Sequence, residues 1–123
     1  MGDLASVVIG REDDAQVVRL AGEVDISNAP RLEVDISDAV PNDVAGLVLD
    51  LSDTAYLDSA GIRMLFELAQ RLDGRRQSLA LVVPAQSLIR HSLVVTEVEQ
   101  AMGLHDTEAD ALAALAQYGQ LRD

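Results

Sequence analysis

The sequence predicts an α/β fold: a mixed β-sheet that opens with a hairpin and continues with alternating crossover helices. Three observations carry this. Two short valine-rich segments flank the polar stretch GREDDA. Two continuous apolar runs, LVLDL at 47–51 and SLALVV at 78–83, read as strands buried on both faces. Between them Ile62, Leu65, Phe66, Ala69 and Leu72 recur at helical spacing.

Each element follows in order. Leu4–Ile9 and Gln16–Ala21 form the opening hairpin, with GREDDA as its turn. Ser27 or Asn28 is placed to cap a helix starting near Pro30, and Leu32, Ile36, Ala39 and Val40 form its apolar side. Pro41-Asn42-Asp43 breaks it, and the strand 47–51 follows. SDTAYLD reads as a loop. The next helix sets its apolar stripe opposite Arg63, Glu67, Gln70 and Arg71, with Glu67 and Arg71 at ion-pair spacing, and Gly74 stops it. Pro84 ends the strand 78–83. A short helix is expected over Ser87–Val95, a short strand over Ala101–Leu104, and a last helix opened by Thr107, with Asp110 three residues on. After the hairpin, strands and helices alternate, so crossover connections and a largely parallel sheet are expected.

Bulk properties bound the function. At 123 residues and 49% hydrophobic, one domain over 1–123 is expected. The net charge is -12, nine arginines are the only Lys/Arg cations, and lysine is absent. Residues 1–60 hold 13 acidic and 3 basic side chains; residues 61–123 hold 8 and 6. No basic patch is visible, so nucleic-acid binding is not expected. An acidic first half suits a partner with a basic docking surface, or simply solubility. No apolar run approaches the roughly 20 residues that span a bilayer. The opening MGDLASVVIGREDD has neither a basic n-region nor a long apolar stretch, so no secretory signal is expected. Cysteine is absent, which excludes disulfides and thiolate metal sites, and a cytoplasmic home fits.

Catalytic and cofactor motifs are missing. A nucleophile elbow needs G-x-S-x-G, whereas the chain has L57-D58-S59-A60-G61. His91 and His105 lie far apart in sequence and make neither a recognisable triad nor a zinc site. No Gly-rich loop precedes a lysine, which excludes a P-loop. A phosphoacceptor at Asp50 in a two-component receiver would require a lysine the chain lacks, so Asp50 reads as a strand-end or turn residue. No enzyme activity, metal or cofactor is expected.

One stretch still asks for a reason: YLDSAGIRML, Tyr56 to Leu65. It sets a carboxylate and a hydroxyl at the mouth of a helix, beyond the carboxyl end of a central strand, a usual place for function in open α/β sheets. Ser59 reads as an N-cap or as a phosphorylation site. Asp58 reads as a cap, a partner contact or both, and Asp25 as a turn aspartate or a partner contact. A phosphate at Ser59 would be favoured by free helix N–H groups and the helix dipole, while Asp58 and Asp25 would repel it. Gly61 would leave room for a kinase to approach the backbone.

Three stretches resemble the STAS domain of the anti-sigma factor antagonist family: GEVDISNAPRLE (22–33), LVLDLSDTAYLDSAGIRML (47–65) and LIRHSLVVTEVEQAMGLHDTEADALAAL (88–115). The resemblance spans nearly the whole chain and implies a STAS-like sheet. It maps the family's phosphoacceptor serine onto Ser59 and its motif aspartates onto Asp58 and Asp25. It implies an unphosphorylated form that binds an anti-sigma factor with serine kinase activity, release on phosphorylation, and resetting by a PPM-type serine phosphatase. A STAS scaffold subunit of a transporter or lipid-trafficking complex is the alternative. The chain departs from the family at Glu97, where many relatives carry glycine, and at Ala60, where many carry a second hydroxyl.

Overall fold

The computed structural model describes residues 5–121, and side chains through residue 118. The elements run β1 (Ala5–Glu12), β2 (Ala15–Val24), α1 (Ala29–Asp38), β3 (Gly46–Asp50), β4 (Thr54–Leu57), α2 (Ser59–Gly74), β5 (Ser78–Val82), α3 (Arg90–Val95), α4 (Val98–Met102), β6 (Leu104–His105) and α5 (Glu108–Leu121). The six strands form one sheet in the order β1-β2-β3-β5-β6, with β4 beside the far end of β2. Only the β1–β2 pair is antiparallel; the others are parallel.

The apolar runs explain the layering. Strand side chains alternate between faces. Val18, Leu20, Leu47, Leu49, Leu79 and Leu81 belong to the larger core, which also holds Leu32 and Ile36 of α1 and Met64, Leu65, Leu68 and Leu72 of α2. Val17, Val48, Ala80 and Val82 belong to a second core with Ala111 and Leu115 of α5. A strand buried on both faces has no need of polar alternation, which is why 47–51 and 78–83 read as apolar segments with Asp50 and Ser78 near their ends. Arg19 of β2 grips Glu108, at the start of α5, through two hydrogen bonds of 2.7 and 2.8 Å. That grip holds the Glu108 carboxyl down at about 2.

Four expectations are corrected. The hairpin strands are longer than 4–9 and 16–21, leaving only Asp13 and Asp14 as the turn; Leu4 lies outside the described residues. The stretch read as a loop contains β4: after a shift in register between Gly22 and Glu23, β2 pairs with Tyr56 and Leu57. Ala101 and Met102 of the expected strand Ala101–Leu104 end α4, and the pairing falls at Leu81–Leu104 and Val82–His105. The helix expected over Ser87–Val95 begins only at Arg90. Glu97 joins α3 to α4 at φ 65°, the left-handed conformation that glycine adopts at least cost. A glycine here would meet the same backbone requirement at lower cost.

Gly46 shows how closely β3 and β5 approach at their start: a Cβ there would lie 2.1 Å from the Ser78 carbonyl oxygen. Gly74, at the end of α2, has nothing within 4 Å of such a Cβ. Gly46→Ala is therefore expected to cost about 3 kcal/mol or more, by forcing backbone apart in a packed sheet. Gly74→Ala should be neutral or stabilising by up to about 1 kcal/mol. Chemical denaturation of the two variants beside the wild type checks the pair.

Candidate functional site

The site forms where β2 and β4, parallel neighbours, end side by side. The chain leaves β2 at Val24 and turns through residues 25–28 into α1. It leaves β4 at Leu57 and passes through Asp58 into α2. Asp58 joins the two exits. Its backbone N–H donates to the Val24 carbonyl at 3.2 Å. Its carboxylate Oδ1 accepts the N–H groups of Ala60 (2.9 Å) and Gly61 (3.0 Å), and Oδ2 accepts the N–H of Ile26 across the gap at 3.2 Å. Asp58 is thus the N-cap of α2 and, at the same time, the tie between two loops.

Ser59 is the first residue of α2 and exposed. The capping bonds come from Asp58, not from the Ser59 hydroxyl. The capping alternative for Ser59 is therefore corrected: an extended residue immediately before the helix satisfies its amides, and Asp58 holds that position. The expectation that free N–H groups await a phosphate is corrected for the three amides that follow Ser59. The amides of Ala60 and Gly61 are taken by Asp58's side chain and that of Ile62 by its carbonyl.

Two hydroxyls of the preceding loop and strand are engaged. Ser52 Oγ donates to Asp50 at 2.5 Å, and buried Thr54 Oγ1 donates to the Leu20 carbonyl at 2.6 Å. Asp50 is the strand-end residue expected, with its carboxyl pushed up by burial and by Glu108 beside it.

Asp25 lies half-buried in the first loop. Its Oδ1 accepts both the hydroxyl and the N–H of Ser27, which hold its carboxyl below the usual range. Asn28 occupies the cap position of α1, yet its side chain turns backwards, accepting from the Asp25 N–H and donating to the Glu23 carbonyl, both at 2.9 Å. The carbonyl of Asp25 instead accepts the N–H groups of Asn28 and Ala29. The loop is braced from within and presents Ile26, 77% exposed, at its tip.

Gly61 is buried. A Cβ there would meet Leu57 at 2.9 Å and Val24 at 3.2 Å, so this glycine lets the first turn of α2 sit down on the ends of β2 and β4. The structure gives it a packing role.

Between α1 and α2 runs a groove of about 490 Å³. Ser59 and Arg63 line it at one end, Ile26, Val34 and Met64 form apolar walls, and Glu33, Glu67 and Arg71 lie along it. Arg71 does not close on Glu67 as its spacing suggests; its Nε donates to buried Glu33 on α1 at 2.9 Å. Burial, then the adjacent Glu67, push the Glu33 carboxyl up. Sequence reasoning missed Ile26, Glu33 and Val34, whose approach to α2 is a tertiary fact. Arg63, four residues after Ser59, carried a signal in its spacing. Neither His91 nor His105 lines the groove, and no group of three or more metal-ligating side chains occurs among the described residues. No helix among them is long and apolar enough to cross a membrane.

The STAS domain model matches residues 6–111, and the chain belongs to that family. It is 27% identical over 114 residues to the anti-sigma-F factor antagonist RsfB of Mycobacterium tuberculosis (strain ATCC 25618 / H37Rv), covering 92% of this chain and 91% of that protein. Its fold matches the crystal structure of an anti-sigma factor antagonist from Mycobacterium paratuberculosis with a TM-score of 0.80 at 28% identity, over 91% of this chain and 94% of that one. A sulfate transporter family protein from Wolinella succinogenes superposes with a TM-score of 0.71 at 19% identity, over 87% of this chain and 88% of that one, a likeness of fold alone.

If Asp58 is the cap and Ser59 is not, their truncations should separate. Asp58→Ala is expected to cost about 1–2 kcal/mol, as for the loss of a good N-cap. Ser59→Ala should stay within about 0.5 kcal/mol of wild type, as for an exposed substitution. Urea titrations of the two variants provide the check.

Proposed function

We propose that this protein is an anti-sigma factor antagonist working by partner switching, a binding module and not an enzyme. Unphosphorylated, it binds an anti-sigma factor that is also a serine kinase, and so frees the sigma factor. The kinase then transfers the γ-phosphoryl group of ATP to Ser59. A bond forms between Oγ and phosphorus, the bond to ADP breaks, and the hydroxyl proton leaves to a base of the kinase. A PPM-type serine phosphatase hydrolyses the ester and resets the cycle, in the cytoplasm, without nucleic acid or membrane insertion.

The observation that carries this reading is the exposed Ser59 hydroxyl, left out of the helix cap and standing at the mouth of the α1–α2 groove. The kinship with named anti-sigma factor antagonists over nine-tenths of the chain supports it. Asp58 and Asp25 form the acidic rim that faces the partner. Gly61 enters that surface indirectly, by seating the helix. A phosphoryl group adds roughly -1.5 to -2 charges beside this rim. Loss of electrostatic match at an interface lowers affinity with no change of fold.

Incubation with ATP and the cognate kinase, followed by peptide mapping, should place one phosphoryl group on Ser59 and none on Ser59→Ala. Label on Ser52 or Thr54 would overturn the assignment. In calorimetry with the same kinase and ADP, Ser59→Asp should bind at least about tenfold more weakly than wild type, a change of about 1.4 kcal/mol. Ser59→Ala should retain affinity and resist release by ATP, and Asp25→Asn should weaken binding while its thermal melt stays unchanged.

A further inference from the structure

We propose that Arg63 is the counter-ion of phosphorylated Ser59, closing on the phosphate from one helical turn below. The inference rests on Ser59 being the phosphoacceptor.

A phosphate at this helix start needs donors, and the three backbone amides that follow Ser59 are poorly placed to supply them. The amides of Ala60 and Gly61 already bond Asp58's side chain, and that of Ile62 bonds its carbonyl. The carboxylate of Asp58 adds repulsion. The phosphate must therefore find a side-chain donor, displace Asp58, or stand in water.

Arg63 fits the first possibility. It lines the same groove as Ser59. The two are four residues apart on α2, the spacing at which helix side chains meet, with the anion N-terminal to the cation as the favourable order requires. Its guanidinium is also available. Arg11, Arg19, Arg31, Arg71 and Arg90 are each paired with a carboxylate, and Arg75 donates to the carbonyls of Ser37 and Val40 at the end of α1. Arg63 is exposed and has no ion pair or side-chain hydrogen bond among the described residues. A guanidinium matches phosphate with two parallel N–H donors. The same event consumes the open one of the two arginines that line the groove among the described residues, so modification would remove a positive group from the partner's view while adding a negative one.

The test uses the full chain with phosphoserine installed at position 59 during translation, so it does not depend on any kinase. The second ionisation of the phosphate, near pH 6 when free, is followed by phosphorus NMR in three backgrounds: Arg63, Arg63→Lys and Arg63→Gln. The other charges around the site are common to all three: Asp25 and Asp58 on the loops, Glu33 on α1, Glu67 and Arg71 on α2. With Arg63 present the phosphate should titrate about half a pH unit or more below its position in Arg63→Gln, roughly a threefold or larger change in proton affinity. Lysine should fall between, because it keeps the charge and loses the bidentate fork. Identical titrations in the Arg63 and Arg63→Gln proteins, both folded by circular dichroism, would overturn the proposal. Kinase label found elsewhere than on Ser59 would sink the functional reading and leave this titration unaffected, so the two failures are distinguishable.

Discussion

The Asp58 carboxylate is the interaction on which the site depends. One oxygen closes the first turn of α2, and the other holds the loop that leads into α1. A cap alone would fix a helix end. A cap that also reaches Ile26 fixes two helices relative to each other, and with them the groove between. It also leaves the serine beside it with no structural duty. The carboxylate holds the turn and the hydroxyl is left exposed; under the proposed function, that divides stability from signalling.

The rest of the architecture keeps that chemistry at the surface. Ser59 sits at the end of the sheet, while the large core beneath is made of leucines and valines contributed by β2, β3, β5, α1 and α2. Gly61 seats the helix on the strands, and the Arg71–Glu33 pair joins α2 to α1 farther along the groove. A charge added at Ser59 would therefore fall on the solvent side of a packed frame. A net charge of -12 makes the same point for the whole molecule. One more anion would change little about solubility, whereas at the proposed docking rim its local effect on a charged partner would be large.

Much of this was legible in the sequence, for identifiable reasons. Strands 47–51 and 78–83 are covered on both faces, so their apolar runs are long enough to read. The α2 stripe from Ile62 to Leu72 spans three turns, and Thr107 opens α5 as its spacing from Asp110 suggests, its Oγ1 accepting the Asp110 N–H. What failed to show was short or tertiary. β4 has four residues, and its reason for being extended is the neighbouring end of β2. α4 has five residues after a left-handed glutamate, too few for any period to emerge. At the site, the position of Ser59 and Asp58 was readable from the helix pattern. Which of them caps was not, because both residue types do so and only the backbone position decides. Glu33 looked like any polar helix residue until α2 was packed against it.

The most direct test of this account is amide hydrogen exchange in the protein with phosphoserine at position 59, set beside the unmodified chain. If Asp58 keeps the helix start and the phosphate acts as a surface charge, the amides of Ile26, Ala60 and Gly61 should retain their protection. Chemical-shift changes should stay within the two loops and the first turns of α1 and α2. Loss of protection at Ala60 and Gly61 together with Ile26 would mean that the phosphate has displaced Asp58 and refolded the junction, which would contradict the account.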